Sequence, residues 1–181
     1  MTIDNTLYTG RPSEKRSEVE EAIYDSLDEL GISFARVDHE HADTMEDCLA
    51  VEGVLGAKIC TNLFLCNRRK TQFYMLMMPG DKPFKTKNLT AQLNCARLSF
   101  GDAEKMQEYL HTTPGSVSAL ELIFDTDLDI RLVIDNDLMN DGYISGHPGI
   151  STSTLRLTRE DMLRYIKASK HEPTYIDLAA E

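Results

Sequence analysis

Apolar residues recur along the chain at helical spacing near its start. The segment SEVEEAIYDSLDELG carries one stripe of an amphipathic helix, formed by Val19, Ile23, Leu27 and Leu30. Ser17 or Ser13 can cap this helix, and Gly31 ends it. The next segment, SFARVDHE, predicts a short strand. Thr44 and Asp47 then resemble a capping box, so a second helix is expected over about residues 45 to 52.

Two apolar runs in the middle of the chain predict a β-hairpin. KICTNLFLCN and TQFYMLMMPG are joined by the three cations Arg68, Arg69 and Lys70. Short helices are expected over residues 87–93 and within DAEKMQEYLHT, and LELIFD is predicted as a buried element. The methionines of the second run are most simply core residues.

The C-terminal third predicts two strands and a helix. DIRLVIDNDL alternates as a strand does, STSTLRLT is predicted as the last strand, and Thr158 caps a helix in TREDMLRYIKASK. No regular strand–helix alternation, repeat or linker divides the chain. We therefore expect an α+β fold, with a mixed central β-sheet flanked by helices, in a single domain over residues 1–181. Residues 1–16 are a candidate flexible N-terminal extension.

Composition favours a cytoplasmic protein without metal or cofactor. The chain is 41% hydrophobic and 27% charged, no apolar run approaches the roughly 20 residues that span a membrane, and the N-terminus lacks a secretory signal. The four cysteines form no CxxC pair and have no histidine at zinc-finger spacing, so we expect reduced thiols and no metal site.

Charge is distributed unevenly along the chain. The formal net charge is −11, which argues against a general nucleic-acid binder. Residues 54–97 nevertheless contain eight Lys and Arg residues and one acid, Asp81, so this segment carries +7. It predicts either one basic face on an acidic body or merely a solvated hairpin.

Two loops could carry chemistry. In the first, Pro114 to Ser118, a glycine turn before a helix would direct free backbone N–H groups at a carboxylate, a phosphate or a developing oxyanion; an ordinary capped turn is the alternative. In the second, Pro148 restricts the backbone of His147, whose ring could act as a general base, a hydrogen-bond donor or a packed turn residue.

Two further polar stretches are candidates. The residues from Lys58 to Asn62 enter an apolar strand and could hold a ligand at its end. The hydroxyls from Ser151 to Thr154 are explained by strand propensity for the threonines. No Ser-His-Asp spacing, P-loop or GxGxxG occurs.

An ordered series of motifs resembles the YbaK/ProX family, in particular its ProX branch of free-standing prolyl-tRNA editing proteins. The series covers most of the chain: TNLFLCNRRKTQFYMLMM, LNCARLSFGDAEKMQEYL, TPGSVSALEL, LVIDNDLM, GHPGISTSTLRL and KHEPTYIDL. The resemblance implies an α+β domain that hydrolyses the ester of mischarged tRNA(Pro), with Ala-tRNA(Pro) as the substrate. The partner would be the tRNA acceptor end.

The resemblance also implies which residues form the site. Gly115 with Ser116 and Val117 matches the family's glycine loop, whose N–H groups polarise the ester carbonyl, and His147 matches its His-Pro histidine. Asn62 matches the Asn of the K-N-L-F-L strand. We assign substrate binding to Asn62, Thr61, Lys58, Ser118 and Lys70.

Two departures from the family pattern leave an alternative open. Thr61 stands where the family has lysine, and Ala119 stands where proline often closes the glycine loop. The cation could then come from Lys58, Lys70 or Arg68. The alternative is a non-catalytic binding module for an amino acid, tRNA or a protein partner, and a metal-dependent hydrolase is a more distant one. The sequence predicts no oligomeric state.

Overall fold

Within residues 1–178, five α-helices and nine β-strands make up the fold. The computed structural model describes residues 1–178. The helices are α1 Glu18–Glu29, α2 Met45–Leu55, α3 Thr86–Leu93, α4 Ala103–Leu110 and α5 Arg159–Ala168. The strands are β1 Tyr8–Thr9, β2 Ala35–Asp38, β3 Cys60–Asn67, β4 Phe73–Pro79, β5 Leu98–Phe100, β6 Ile130–Asp135, β7 Tyr143–Gly146, β8 Ser153–Thr158 and β9 Thr174–Ile176. Two 3₁₀ helices, Ala119–Phe124 and Asn136–Asn140, complete the list.

The strands form two sheets, which confirms the α+β class and adds a second sheet to the one expected. The larger is mixed, in the order β5-β3-β4-β6-β9, with β6 parallel to both of its neighbours. The smaller is antiparallel, in the order β1-β2-β8-β7. The predicted hairpin is confirmed by the pairing of β3 with β4, in which Leu63 lies opposite Leu76.

Local capping signals placed the helix starts correctly. The Ser17 side chain accepts from the Glu20 amide at the start of α1, and Thr44 with Asp47 forms the predicted capping box of α2. Helix α2 ends at Leu55 rather than near residue 52, because the chain continues helically until Gly56 adopts φ 71°.

Short elements escaped sequence analysis. STSTLRLT forms β8 but is not the last strand, because β9 follows α5 and pairs in parallel with β6. LELIFD lies in the buried 3₁₀ helix Ala119–Phe124. The strands β1, β5 and β9 have two or three residues each, too few to show alternation.

Two apolar clusters cover the two faces of the mixed sheet. Alternate residues of β4 show this division: Met75 and Met77 pack in the larger cluster with β7, β8, α1 and α5, whereas Leu76 and Met78 pack in the smaller cluster with Leu89 of α3. The methionines of β4 are therefore core residues, as predicted. No helix within residues 1–178 has the length and apolar character to span a bilayer.

The N-terminal residues lie against the fold rather than extending from it. Strand β1 pairs with β2, and the Asp4 amide donates to the Asp38 carbonyl oxygen at 3.0 Å. Arg16 forms an ion pair with Asp38 at 2.8 Å. The candidate flexible extension is thus bound to the edge of the smaller sheet.

Candidate functional site at the junction of the two sheets

A cavity of about 360 Å³ opens where the first half of β3 meets loops from the other side of the core. Strand β3 and the end of β5 supply one wall, and the loop from Pro114 to Val117 with His147 supplies the other. The lining residues are Cys60, Thr61, Asn62, Leu63, Phe64, Phe100, Gly101, Met106, Pro114, Gly115, Val117 and His147. The structure therefore brings together Asn62, Thr61, Gly115, Val117 and His147 from distant parts of the chain.

Asn62 presents an unsatisfied acceptor in this wall. Its Nδ2 lies 3.4 Å from the Cys60 carbonyl oxygen. Its Oδ1 is buried and finds no hydrogen-bond partner within residues 1–178. Because buried polar atoms in proteins are nearly always paired, this oxygen is suited to accept a donor from a bound molecule.

Two of the three glycine-loop amides that were predicted to bind the ester carbonyl oxygen form no hydrogen bond within the described residues. Gly115 has φ +88°, a left-handed conformation that side chains disfavour. The Ser116 amide donates to the Thr113 carbonyl oxygen at 3.0 Å, so it closes the turn. The expectation that Ser116 is an oxyanion donor is therefore wrong for its N–H. Among the described residues, the Gly115 and Val117 amides donate to no other group.

Ser118 lies behind the cavity wall rather than in it. It is fully buried, and its hydroxyl caps the 3₁₀ helix by accepting from the Leu120 amide at 3.1 Å. The same oxygen lies 2.6 Å from the His147 carbonyl oxygen. The structure therefore does not place Ser118 in contact with a substrate, because its hydroxyl is occupied within the fold.

His147 is held as a neutral ring with one defined tautomer. Its Nδ1 lies 2.7 Å from the Ser153 carbonyl oxygen, which can only accept, so Nδ1 carries the proton and Nε2 is an acceptor. Burial lowers the pKa of His147, the Ser153 carbonyl opposes this shift, and the neighbouring His39 and His41 lower the pKa further. An uncharged imidazole with an available Nε2 is thus favoured at neutral pH.

A smaller recess of about 60 Å³ lies behind Gly115 and His147. It is lined by His39, His41, Ala42, Cys48, Val51, Ile59, Gly115, His147, Ser151 and Thr154. The Thr154 hydroxyl oxygen lies 2.7 Å from His39 Nε2 and 3.4 Å from His147 Nδ1, so it lies between the two rings.

Sequence analysis missed His39 and His41 as members of this site. The two histidines are separated by one residue directly after β2, so an extended chain places both side chains on the same side. This spacing could have identified them. Thr154 was noted only for its strand propensity.

The candidate cations lie outside the cavity. Lys58 is exposed and lines a neighbouring groove of about 350 Å³, which shares Thr61 with the cavity. Lys70 is exposed in the hairpin turn and forms an ion pair with Asp102 at 2.5 Å. Within residues 1–178 no Lys or Arg side chain lines the cavity itself.

Four exposed cations form a surface that we call the basic edge: Arg68, Arg69, Lys87 and Arg97. Two shallow concavities hold them, one beside the β3–β4 turn and one along α3, and the concavities adjoin at Ala96 and Arg97. None of the four has an ion-pair partner in the described part of the chain. In contrast, Lys82 is nearly buried between Asp135 and Asp137.

The metal-binding and thiol groups of the described residues were the remaining candidates for the site. No group of three or more His, Cys, Asp or Glu side chains within residues 1–178 is arranged to hold a metal ion. The four cysteines are free. Burial raises the pKa of the Cys60 thiol in the cavity wall to about 12, so it is a poor nucleophile at neutral pH.

Comparison with known proteins gives a consistent result. The aminoacyl-tRNA editing domain matches residues 39–165. The prolyl-tRNA editing protein ProX of Acetoanaerobium sticklandii is 27% identical over 89% of this chain and 98% of its own length. The prolyl-tRNA synthetase associated domain-containing protein 1 of Mus musculus is 29% identical over 91% of this chain and 97% of its own.

The fold is also that of solved structures. One structure, described only as a candidate trans-editing enzyme for prolyl tRNA synthetase, superposes with a TM-score of 0.68 at 15% identity and covers 92% of this chain and 100% of its own. Because the editing domain matches well over half of the sequence, and five of the six ordered motifs of the YbaK/ProX family lie within the matched residues, this chain belongs to the aminoacyl-tRNA editing domain family.

Proposed function

We propose that the protein is a trans-acting aminoacyl-tRNA deacylase that hydrolyses the ester of mischarged tRNA(Pro), with Ala-tRNA(Pro) as its preferred substrate. One observation carries the proposal: the unengaged Gly115 and Val117 amides, the unsatisfied Asn62 oxygen and the neutral His147 ring all line one cavity. The family and its relatives support a trans-editing role.

An aminoacyl ester is already activated, so the chain mainly needs to position it. The Gly115 and Val117 amides donate to the carbonyl oxygen as it gains negative charge. His147 Nε2 accepts a proton from water as the water oxygen bonds to the ester carbonyl carbon, and that proton passes to the ribose oxygen as the ester C–O bond breaks, which releases the free amino acid and the tRNA. Asn62 Oδ1 accepts from the α-amino group of the bound amino acid.

The small recess supports selection by size. We assign the alanyl methyl group to this recess of about 60 Å³, where the bulkier prolyl ring would press on the walls. Packed interiors resist such added volume, at a typical cost of about 1–3 kcal/mol. Alanyl ester would therefore be cleaved and prolyl ester spared.

The basic edge is the proposed contact for the acceptor stem. Its cations are free to meet phosphates, whose neutralisation releases counterions and makes binding depend on salt. Acceptor-stem binding at this edge explains why positive charge is concentrated in residues 54–97 of an acidic protein.

A deacylation assay tests the function. Wild-type protein should release alanine from Ala-tRNA(Pro) and leave Pro-tRNA(Pro) intact, and Cys-tRNA(Pro) measures how strictly the recess selects. His147→Ala should slow release, whereas Glu172→Gln at an exposed site is the matched control. Chelator should change nothing, and intact Ala-tRNA(Pro) and Cys-tRNA(Pro) at high protein concentration would refute the proposal.

The absence of a lining cation favours a second candidate, a non-catalytic binding module. Thr61 occupies the family lysine position, and neither Lys58 nor Lys70 reaches the cavity wall. Thr61→Lys separates the candidates: turnover by the wild type supports the deacylase, whereas turnover only after Thr61→Lys, with tight tRNA binding by both, supports the module.

A further inference from the structure

A buried carboxyl group lies behind the glycine loop and is not used in the chemistry above. Glu121, in the 3₁₀ helix Ala119–Phe124, is fully buried. Its Oε1 accepts from the Ser118 amide at 3.0 Å, and its Oε2 lies 2.5 Å from Ser118 Oγ. Ser118 Oγ in turn lies 2.6 Å from the carbonyl oxygen of His147.

The number of available protons determines the protonation state of Glu121 in these hydrogen bonds. The His147 carbonyl oxygen can only accept, so the single hydroxyl proton of Ser118 points to it. The Leu120 amide donates to the same Ser118 oxygen at 3.1 Å. The 2.5 Å contact with Glu121 Oε2 therefore needs a proton on the carboxyl group.

The surroundings of Glu121 agree with a neutral acid. Burial raises its pKa well above the usual 4.5, and hydrogen bonds from Ser118 only partly oppose this shift. No cation is among the partners recorded for Glu121 within residues 1–178.

Three elements pack on this 3₁₀ helix and carry titratable groups. Helix α5 contributes Tyr165, which donates to the Leu120 carbonyl oxygen at 2.7 Å. His111, after α4, stacks on Phe124. Helix α1 carries the buried Glu20 and Tyr24, and neither is among the groups that shift the pKa of Glu121. Among the described residues, none of these side chains forms a hydrogen bond with the Glu121 carboxyl group, whose partner is Ser118.

We propose that Glu121 is a positioning residue: as the neutral acid it donates to Ser118, which fixes the His147 carbonyl and thereby the ring against the cavity. Gly146 permits this arrangement, because a Cβ there would lie 3.3 Å from both Ser118 Cβ and Oγ. Ionisation of Glu121 would draw the Ser118 proton to the carboxylate and release the His147 backbone. The inference about rate rests on the proposed deacylase function.

The test compares Glu121→Gln, which keeps a donor for Ser118 Oγ and an acceptor for its amide, with Glu121→Met, which has similar size but neither. Glu172→Gln is the surface control. Near neutral pH, Glu121→Gln should keep kcat close to that of the wild type, and Glu121→Met should lose about 10- to 100-fold in kcat, the scale of a small misplacement of a reacting group. The wild type should also lose activity at alkaline pH, and Glu121→Gln should not.

Two readouts do not depend on activity. The infrared difference between wild type and Glu121→Gln at neutral pH should contain a protonated-carboxyl band, and NMR of the His147 ring should show the Nδ1–H tautomer in both but not in Glu121→Met. A carboxylate band, equal losses in Glu121→Gln and Glu121→Met, or full activity of Glu121→Met would overturn the inference. If the wild type cleaves no aminoacyl ester, the proposed function fails, and these spectra still decide the state of Glu121. They do so even if Glu121→Met does not fold, because the infrared comparison needs only Glu121→Gln.

Discussion

His147 and Ser153 are joined across the smaller sheet by a 2.7 Å hydrogen bond from the ring Nδ1 to the backbone carbonyl oxygen. The two residues flank the turn between β7 and β8. This bond selects the tautomer and leaves Nε2 as the acceptor of a neutral ring. In the proposed mechanism, activity requires His147 to be unprotonated.

Activity should therefore fall on acidification only below the ordinary histidine range. Because burial and the neighbouring imidazoles lower the pKa of His147, the acidic limb of kcat/KM should lie below pH 6.5. His41→Ala removes one of those imidazoles and should move the limb to higher pH. A shift to lower pH would contradict this account of the pKa.

The same group links stability to pH. The folded pKa of His147 is depressed, so the unfolded chain takes up its proton first as pH falls. Its contribution to the free energy of unfolding should decline from about pH 6.5 downward. Urea unfolding of the wild type and His147→Gln at several pH values measures this difference, which should shrink on acidification.

Removing the Asn62 side chain should harm function more than stability. Since Oδ1 has no partner within residues 1–178, Asn62→Ala should change the free energy of unfolding by less than about 1 kcal/mol. The variant should lose about 10- to 100-fold in kcat/KM if Asn62 holds the amino group of the substrate. Asn88→Ala on α3 is the control for loss of an amide outside the cavity. Normal kinetics for Asn62→Ala would exclude Asn62 from substrate binding.

The basic edge should govern tRNA affinity and its salt dependence. Arg68→Ala and Arg97→Ala should each weaken tRNA binding and lower the slope of log K against log salt by about one. Lys167→Ala removes an exposed cation on α5 and should leave the slope unchanged. If all three substitutions lower the tRNA affinity and the salt slope equally, the tRNA responds to the net charge of the protein rather than to the basic edge.

One side-chain bond joins the two sheets directly at the cavity. The Cys60 amide, at the start of β3, donates to the Ser145 hydroxyl of β7 at 2.8 Å, and both residues are buried. Ser145→Ala leaves that amide unpaired and should cost about 1–3 kcal/mol in the free energy of unfolding, measured with urea. Ser99→Ala, at an exposed site of β5, should hardly change the free energy of unfolding. Equal costs for the two substitutions would show that the Cys60–Ser145 hydrogen bond does not stabilise the fold.

Features that depend on nearby residues could be predicted from the sequence. The helix starts at Ser17 and Thr44 follow from capping within one turn, and the β3–β4 hairpin follows from two apolar runs around three cations. The assignment of site residues rested largely on family resemblance. Five of them, Asn62, Thr61, Gly115, Val117 and His147, line one cavity, and their roles stay predictions.

Features that depend on folding could not be read in the same way. The Ser116 amide closes a turn with Thr113, which has no sequence signal. Ser118 and Glu121 form a capping box, whose S-x-x-E spacing sequence analysis overlooked. Lys70 could reach the cavity by its position in the chain, but Asp102, brought close by the pairing of β5 with β3, binds it instead.

The placement of the cavity between two sheets has a consequence for the proposed selection between alanyl and prolyl esters. Asn62 lies on β3 of one sheet, His147 directly follows β7 of the other, and the Cys60–Ser145 hydrogen bond joins the two sheets beside them. For a deacylase of the kind proposed, selection against a substrate only a few atoms larger needs walls that hold their distance under thermal motion. We therefore expect loss of the Cys60–Ser145 hydrogen bond to widen the opening, so that Ser145→Ala would be less selective between alanyl and prolyl esters while still cleaving the former. The proposed selection between the two esters would then depend on the rigidity of the connection between the two sheets.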